Sequence, residues 1–411
     1  MSNLVKFQEL CAIKSSKRIH ESDYCENGVP FIRGKEITDK TILDNKTQFE
    51  CYISEELFKS IDARYGSPKQ EDILITAVGT IGNAVILTNN TPFYFKDGNV
   101  IWLTDYSKKV YPAYLYYFLE SNYFKKQIQF NLIGAVQKAL TMDMLNKILV
   151  PLPSIESQQL IVKNLSLIDF KIENNNAIIS ELESLAKDIY DYWFVQFDFP
   201  NENGKPYKSS GGKMVWNEEL KREIPEGWEV KSLFDGMDVV YGFPLSTEYF
   251  NDKSGIPVIR IRDILDNTSS AYTTENVPNY ALSKNKDLLI GMDGNFHMNF
   301  CAQDDYIINQ RITRIRNKSN ISVLQIYFEI MPYIKAKEQN VARSTVGHLS
   351  DKDLKSLRIM DSHNSNIFIV FESILDKYCM LINENSELTS LRDFLLPLLM
   401  NGQVTVGGAE K

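Results

Sequence analysis

The sequence predicts an α+β chain: two similar mixed α/β domains separated by two long helices that form an antiparallel coiled coil, a pseudo-twofold internal repeat. Three observations carry this. GVPFIRGKEI (28–37) returns as GIPVIRIRDI (255–264), further paired anchors follow in the same order, and two stretches of seam-like apolar spacing stand late in each half.

The anchors are collinear. Val5-Lys6 matches Val230-Lys231, and Gly28 matches Gly255. ILITAVGTIGN (73–83) parallels LLIGMDGNFHM (288–298), LTMDML (140–145) parallels LSDKDL (349–354), and ELESL (181–185) parallels ELTSL (387–391). From Gly28/Gly255 onward the offset falls from 227 to 206, as it does when the second copy of one fold has shorter loops. A first mixed domain is expected over 1–150, a long helix over 151–196, a linker over 197–227, a second mixed domain over 228–362, and a C-terminal long helix with a tail over 363–411.

Short apolar runs bounded by turn residues, such as DILITAVG, NVIWLTDY and PVIRIRDI, predict strands in both mixed domains. Residues 111–128 and 321–339 read as matched aromatic-rich helices. In the first long helix Ile161, Leu165, Ile168, Ile172, Asn175, Ile179, Leu182, Ala186, Ile189 and Trp193 step alternately by four and three. Ile367, Phe371, Ile374, Tyr378, Leu381, Asn385, Leu388, Arg392, Leu395 and Leu399 repeat the arithmetic. Residues 161–193 would span roughly 50 Å as a helix. A buried asparagine costs stability and fixes register, so Asn175 and Asn385 are the expected register residues. Residues 197–227, rich in Gly, Pro, Lys and Asn, have linker chemistry.

Composition excludes several function classes. The chain has 411 residues, 44% hydrophobic and 24% charged, which is ordinary for a folded protein of two or three domains. No run of about 18 apolar residues and no signal-peptide pattern is present, so the expectation is a cytoplasmic protein with no membrane partner. Cys11, Cys25, Cys51, Cys301 and Cys379 form no C-x-x-C pair, and His20, His297, His348 and His363 have no ligand spacing, so no metal site is expected. A net charge of −8 means that any phosphate-binding surface must be local. No nucleophile elbow, Walker lysine, dinucleotide fingerprint or N-P-P-[FY] motif occurs, so no catalytic residue is expected.

Binding features are better represented. TAVGTIGN (76–83) and GMDGNFHMN (291–299) are strand exits into glycine-flanked polar tips, where backbone can come close to a base edge or phosphate. Thr76, Thr80 and Asn83 stand against Asp293, Asn295 and His297, as in two readers of different sequences. Hairpin turns without a ligand are the plain alternative. Arg33 and Lys35 match Arg260 and Arg262, while Asn309, Gln310, Arg311, Arg314 and Arg316 gather donors suited to guanine and adenine edges. In a strand Arg311 and Arg314 would point to opposite sides. Gly134, Gln137 and Lys138, beside Ser344, Thr345 and His348, are a further candidate loop for phosphate.

With these features assembled, the chain resembles the specificity subunit of a type I restriction-modification system, the HsdS family. The resemblance runs over nearly the full length and rests on GVPFIRGKEI, YGFPLSTEYF with GIPVIRIRDI (241–264), LLIGMDGNF (288–296), PLPSIESQQLIV (151–162), IPEGWEV (224–230) and LRDFLLPLLMNGQV (391–404). It implies two target recognition domains, each reading half of a split double-stranded DNA site, spaced by the helices. It also implies two methyltransferase subunits using S-adenosylmethionine and restriction subunits using ATP and Mg, with no cofactor on this chain. The second long helix departs from the pattern, opening on MDSHNSN (360–366) instead of PLP. A coiled-coil protein adaptor without DNA readout and a self-contained nuclease or methyltransferase remain as alternatives.

Overall fold

A computed structural model describes residues 3–43, 48–132, 139–251, 254–339 and 347–400. The chain divides into two compact units, Met1–Lys171 with Leu388–Lys411, and Ile172–Glu387.

The first unit contains β1 (Asn3–Lys6), β2 (Ala12–Lys14), β3 (Tyr24–Cys25), β4 (Val29–Ile32), β5 (Tyr52–Ile53), β6 (Ile73–Thr76), β7 (Ala84–Ile86), β8 (Tyr94–Phe95), β9 (Val100–Thr104) and β10 (Leu149–Leu152). Between them lie α1 (Gly34–Thr38), α2 (Glu55–Tyr65), α3 (Pro112–Glu120), α4 (Asn122–Leu132) and α5 (Met142–Lys147). β1 pairs antiparallel with β10, joining the start of the mixed region to its end. The main sheet runs β2-β9-β6-β7 and a smaller one β3-β5-β4-β8, in which β4 and β8 are parallel.

The apolar runs of β6 and β9 are explained by burial on both faces. Ile73, Ile75, Ile101 and Leu103 enter one core beneath α3 and α4, while Leu74, Val100 and Trp102 enter another with Ile32 and Phe95 of the small sheet. Side chains alternate across a strand, so a strand with cores on both sides has no polar face. The helix expected over 111–128 is two, because Ser121 stops α3 and its hydroxyl accepts the Phe124 N–H at the start of α4.

The second unit repeats the plan. It contains β11 (Met214–Asn217), β12 (Arg222–Pro225), β13 (Glu229–Ser232), β14 (Met237–Tyr241), β15 (Phe250–Asn251), β16 (Ile256–Ile259), β17 (Tyr272–Thr273), β18 (Leu288–Gly291), β19 (Met298–Phe300), β20 (Ile307–Ile308), β21 (Ile312–Asn317) and β22 (Arg358–Asp361). β13 pairs with β22, the main sheet is β14-β21-β18-β19, and the small one is β15-β17-β16-β20 with β16 and β20 parallel. Leu288 and Ile290 face one core and Leu289 the other, as in β6.

The repeated decapeptides are scaffold. Gly28 (φ +146°) and Gly255 (φ +105°) cross the neighbouring strand so closely that a Cβ would lie 2.3 Å from Ile53 O and 2.2 Å from Thr273 O. Only glycine fits there. The next four residues form β4 or β16, and Arg33 or Arg260 then donates its backbone N–H to Glu36 (2.8 Å) or Asp263 (3.0 Å), capping a short helical turn.

The long helix α6 (Ile155–Tyr190) ends in a π-turn at Asp191–Val195, and α7 (Ser365–Met400) is equally long. Every seam position named from the sequence is buried or half-buried. In the second unit Asn175 Nδ2 donates to Asn385 Oδ1 (2.9 Å) and Glu384 Oε2 (2.8 Å), and Asn385 Nδ2 donates to Asn176 Oδ1 (2.8 Å). In the first, Arg392 Nη1 lies 3.1 Å from Asp169. Both helices are entered alike, from a strand paired with the first strand of its own mixed region, despite the missing PLP.

The stretch 197–227 is not a linker in the flexible sense. β11 and β12 form a hairpin, Phe197, Phe199 and Ile224 are buried, and Phe199 stacks on Tyr207 (4.8 Å) and Trp228 (5.2 Å). Polar turn residues masked aromatic anchors spaced too irregularly for either periodicity. No helix among the described residues is long and apolar enough to cross a membrane.

Candidate nucleic-acid interface

Each copy places one glycine-containing tip between a central strand of its main sheet and the neighbouring edge strand, β6 to β7 and β18 to β19. The tip after β6 is tied by Thr76, whose hydroxyl donates to Thr80 O and accepts the Asn83 N–H at 3.1 Å. The tip after β18 is one residue shorter, closing with Gly291 N–H on His297 O (2.9 Å). Gly79 (φ +78°) and Gly294 (φ +72°) have nothing within 4 Å of a Cβ position, so both turns are open on that side, while the Gly294 N–H is held by Gly347 O (2.9 Å).

The same backbone stations surround both tips. Ala77 N–H bonds Asn99 O (2.8 Å) and Ala77 O accepts Leu140 N–H (2.8 Å); in the second copy Met292 N–H bonds Arg311 O (2.9 Å) and Met292 O accepts Leu349 N–H (2.8 Å). The residues beside these bonds differ. In the second copy Asp293 Oδ1 lies 2.7 Å from His348 Nδ1 and Oδ2 lies 3.3 Å from Arg311 Nε. In the first, Val78 and not Thr76 holds the place of Asp293, because Ala77 is the backbone equivalent of Met292; Asn99 and Ala139 hold those of Arg311 and His348, and Val78 is exposed.

The candidate residues sort by accessibility. Thr80, Asn295, Gln310, Arg311 and Arg262 are exposed, and Asn83, His297, Asp293 and Asn309 are half-buried around the tips. Thr80 Oγ1 and Asn83 Nδ2 both reach Thr38 Oγ1, at 2.5 Å and 3.4 Å, which steadies one edge of the first tip. Arg33 and Lys35 share Glu50, and their hydrogen bonds hold its carboxyl below its ordinary value. Arg260 is held by Asp263 and Ser270. Gln137, Lys138 and Thr345, with Gly134 and Ser344, lie outside the described residues.

Two candidates are corrected. Thr76 is fully buried and serves as the staple of its tip. Arg314, only 2% exposed, donates to Asp238 (2.8 Å), and Arg316 on the same strand face forks onto Asp287 (2.6 and 2.7 Å), itself 1% exposed. Arg311 precedes the strand, so the expected opposition of Arg311 and Arg314 across it does not arise. A guanidinium buried on carboxylates is structural. Sequence reasoning did not single out Val78, Asn99 and Ala139, nor Asp293 as the shared partner of Arg311 and His348; the signal lay in the equivalent backbone bonds, which join segments far apart in the chain. Among the described residues, Glu229, Asp361 and His363 could close within 4.8 Å on an ion, but Lys231 Nζ lies 2.7 Å from Asp361 and 3.4 Å from Glu229 and supplies a cation there.

Residues 2–184 and 225–361 match the family model described as the type I restriction modification DNA specificity domain, twice along the chain as the duplicated fold requires. The type I restriction enzyme MjaIX specificity subunit of Methanocaldococcus jannaschii is 26% identical over 410 residues, covering 93% of this chain and 88% of that one. The type I restriction enzyme HindI specificity subunit of Haemophilus influenzae is 23% identical over 405 residues, covering 82% and 87%. The crystal structure of a type I restriction-modification system S subunit from M. genitalium shares the fold with a TM-score of 0.55 at 15% identity, over 97% of this chain and 96% of that one. Two family matches laid over two copies of one fold leave a single conclusion: the chain belongs to the HsdS family and is a non-catalytic specificity subunit of the type I restriction-modification class.

Proposed function

We propose that this chain reads a split double-stranded DNA target, one copy of the mixed fold per half-site, and docks two methyltransferase subunits and the restriction subunits around itself. The observation that carries the reading is the pair of glycine tips held by equivalent backbone bonds at Ala77 and Met292 with different side chains around them. One scaffold used twice suits two contacts with one kind of polymer, and divergent tips suit two sequences. Residues 1–150 and 228–362 act as the reading domains. The helices of 151–196 and 363–411 act as spacer and docking surface, with the Asn175–Asn385 pair fixing their register. S-adenosylmethionine belongs to the methyltransferase partner, ATP and Mg to the restriction partner, and none to this chain. The assembly works in the cytoplasm.

The formal charge of −8 makes the chain by itself a poor polyanion binder, so the partners supply much of the phosphate-binding surface. The test is to map methylated adenines in DNA exposed to the complex of this chain with its methyltransferase partner. Two short defined blocks around a fixed gap are expected. An assembled complex that methylates without a split motif, or a chain that binds only proteins and protects no DNA, would overturn the reading in favour of an adaptor.

A further inference from the structure

Resting on that DNA-reading role, we infer that the second copy recognises a guanine through Arg311, with Asp293 as its positioning residue and His348 fixed by the same carboxylate, and that the first copy has no counterpart. The three residues come from separate segments that meet at one tip. Asp293 stands beside the open Gly294 turn, Arg311 immediately before β21, and His348 beside the Leu349 bond to Met292. The Arg311 side chain is 57% exposed, His348 51% and Asp293 30%. They form a polar surface without being solvated singly.

Charge and geometry favour a base edge over a phosphate. An arginine destined for a phosphate gains nothing from a carboxylate alongside, because the carboxylate repels the phosphate and cancels the arginine charge. An arginine destined for a base edge gains orientation. With Nε beside Asp293 Oδ2, the terminal nitrogens remain as paired donors, which match guanine O6 and N7 in the major groove. His348 meets the other carboxylate oxygen through Nδ1; a carboxylate only accepts, so this nitrogen donates. In the first copy the places of Asp293, Arg311 and His348 are taken by Val78, Asn99 and Ala139, which carry no charge and cannot build this cluster.

The test uses the full chain in complex with its methyltransferase partner, comparing methylation motifs of the wild type, Arg311→Ala, Arg311→Lys and Asp293→Asn, with complex stoichiometry and melting confirmed for each. The expected result is confined to one half-site. Arg311→Ala lowers discrimination at one guanine by roughly 10- to 100-fold, Asp293→Asn loosens the same position less, and Arg311→Lys does not restore it. The other half-site and the gap stay unchanged. A uniform loss of methylation with a flatter salt dependence and an unaltered motif would make Arg311 a phosphate contact and overturn the inference. So would a motif unaffected by Arg311→Ala, or change in both half-sites. A wild-type complex without any split motif overturns the DNA-reading role itself, and this inference with it.

Discussion

Asp287→Asn separates structural arginines from reading ones. Asp287 Oδ1 accepts Arg316 Nε (2.6 Å), and Oδ2 accepts both Arg316 Nη2 (2.7 Å) and the Lys284 N–H (2.7 Å). Arg314 Nη1 lies 4.0 Å from the same Oδ1. An asparagine keeps the shape and loses the charge, and its amide nitrogen must face an N–H whichever way it turns. At least one charge-assisted bond is lost, at about 1.5–3 kcal/mol, and the half-buried Arg316 loses its counter-charge. Breaking such a buried pair costs about 3–5 kcal/mol in all. With a urea slope near 2 kcal/mol per molar, the unfolding midpoint should fall by about 1.5–2.5 M. Tryptophan fluorescence is the assay, since Trp193, Trp216 and Trp228 all lie in the second unit. A shift below about 0.5 M would refute the reasoning and return Arg314 and Arg316 to the candidate readers.

Three further outcomes are expected. Asn175→Ala removes donations to Asn385 and Glu384 at a fully buried seam position and should cost about 2–3 kcal/mol in thermal or urea unfolding. Gly28→Ala and Gly255→Ala should each destabilise their own unit by well over 1 kcal/mol, read by hydrogen exchange of the small sheet, because a Cβ meets a carbonyl oxygen and the φ is positive. Glu329, which accepts the Met360 N–H at 2.8 Å, has its carboxyl pushed up by burial from 4.5 to about 8. Between those values the folded chain holds a proton that the unfolded chain has lost, so its contribution to stability falls as pH rises through that window. Unfolding measured across pH should show this slope, and Glu329→Gln should flatten it.

Whatever depends on spacing along the chain was legible from the sequence. The duplication, the strands β6, β9, β16 and β18, the two helices and both seam asparagines follow from period and offset, since side-chain direction repeats with a fixed count in helix and strand. The sequence also marked the two tips, because a glycine after an apolar run is a local signal. Only the tertiary structure decided which polar residues face outward. Arg311 and Arg314 stand three residues apart, yet one is exposed at a tip and the other sealed against Asp238, a partner 76 residues away. Thr76 looked like a reading residue and is a staple, while Phe199 and Trp228 draw a seemingly flexible stretch onto the second copy. The reason is common to these cases: the accessibility of a polar side chain is set by carboxylates, carbonyls and rings brought to it from remote segments, and no local pattern records where those segments return.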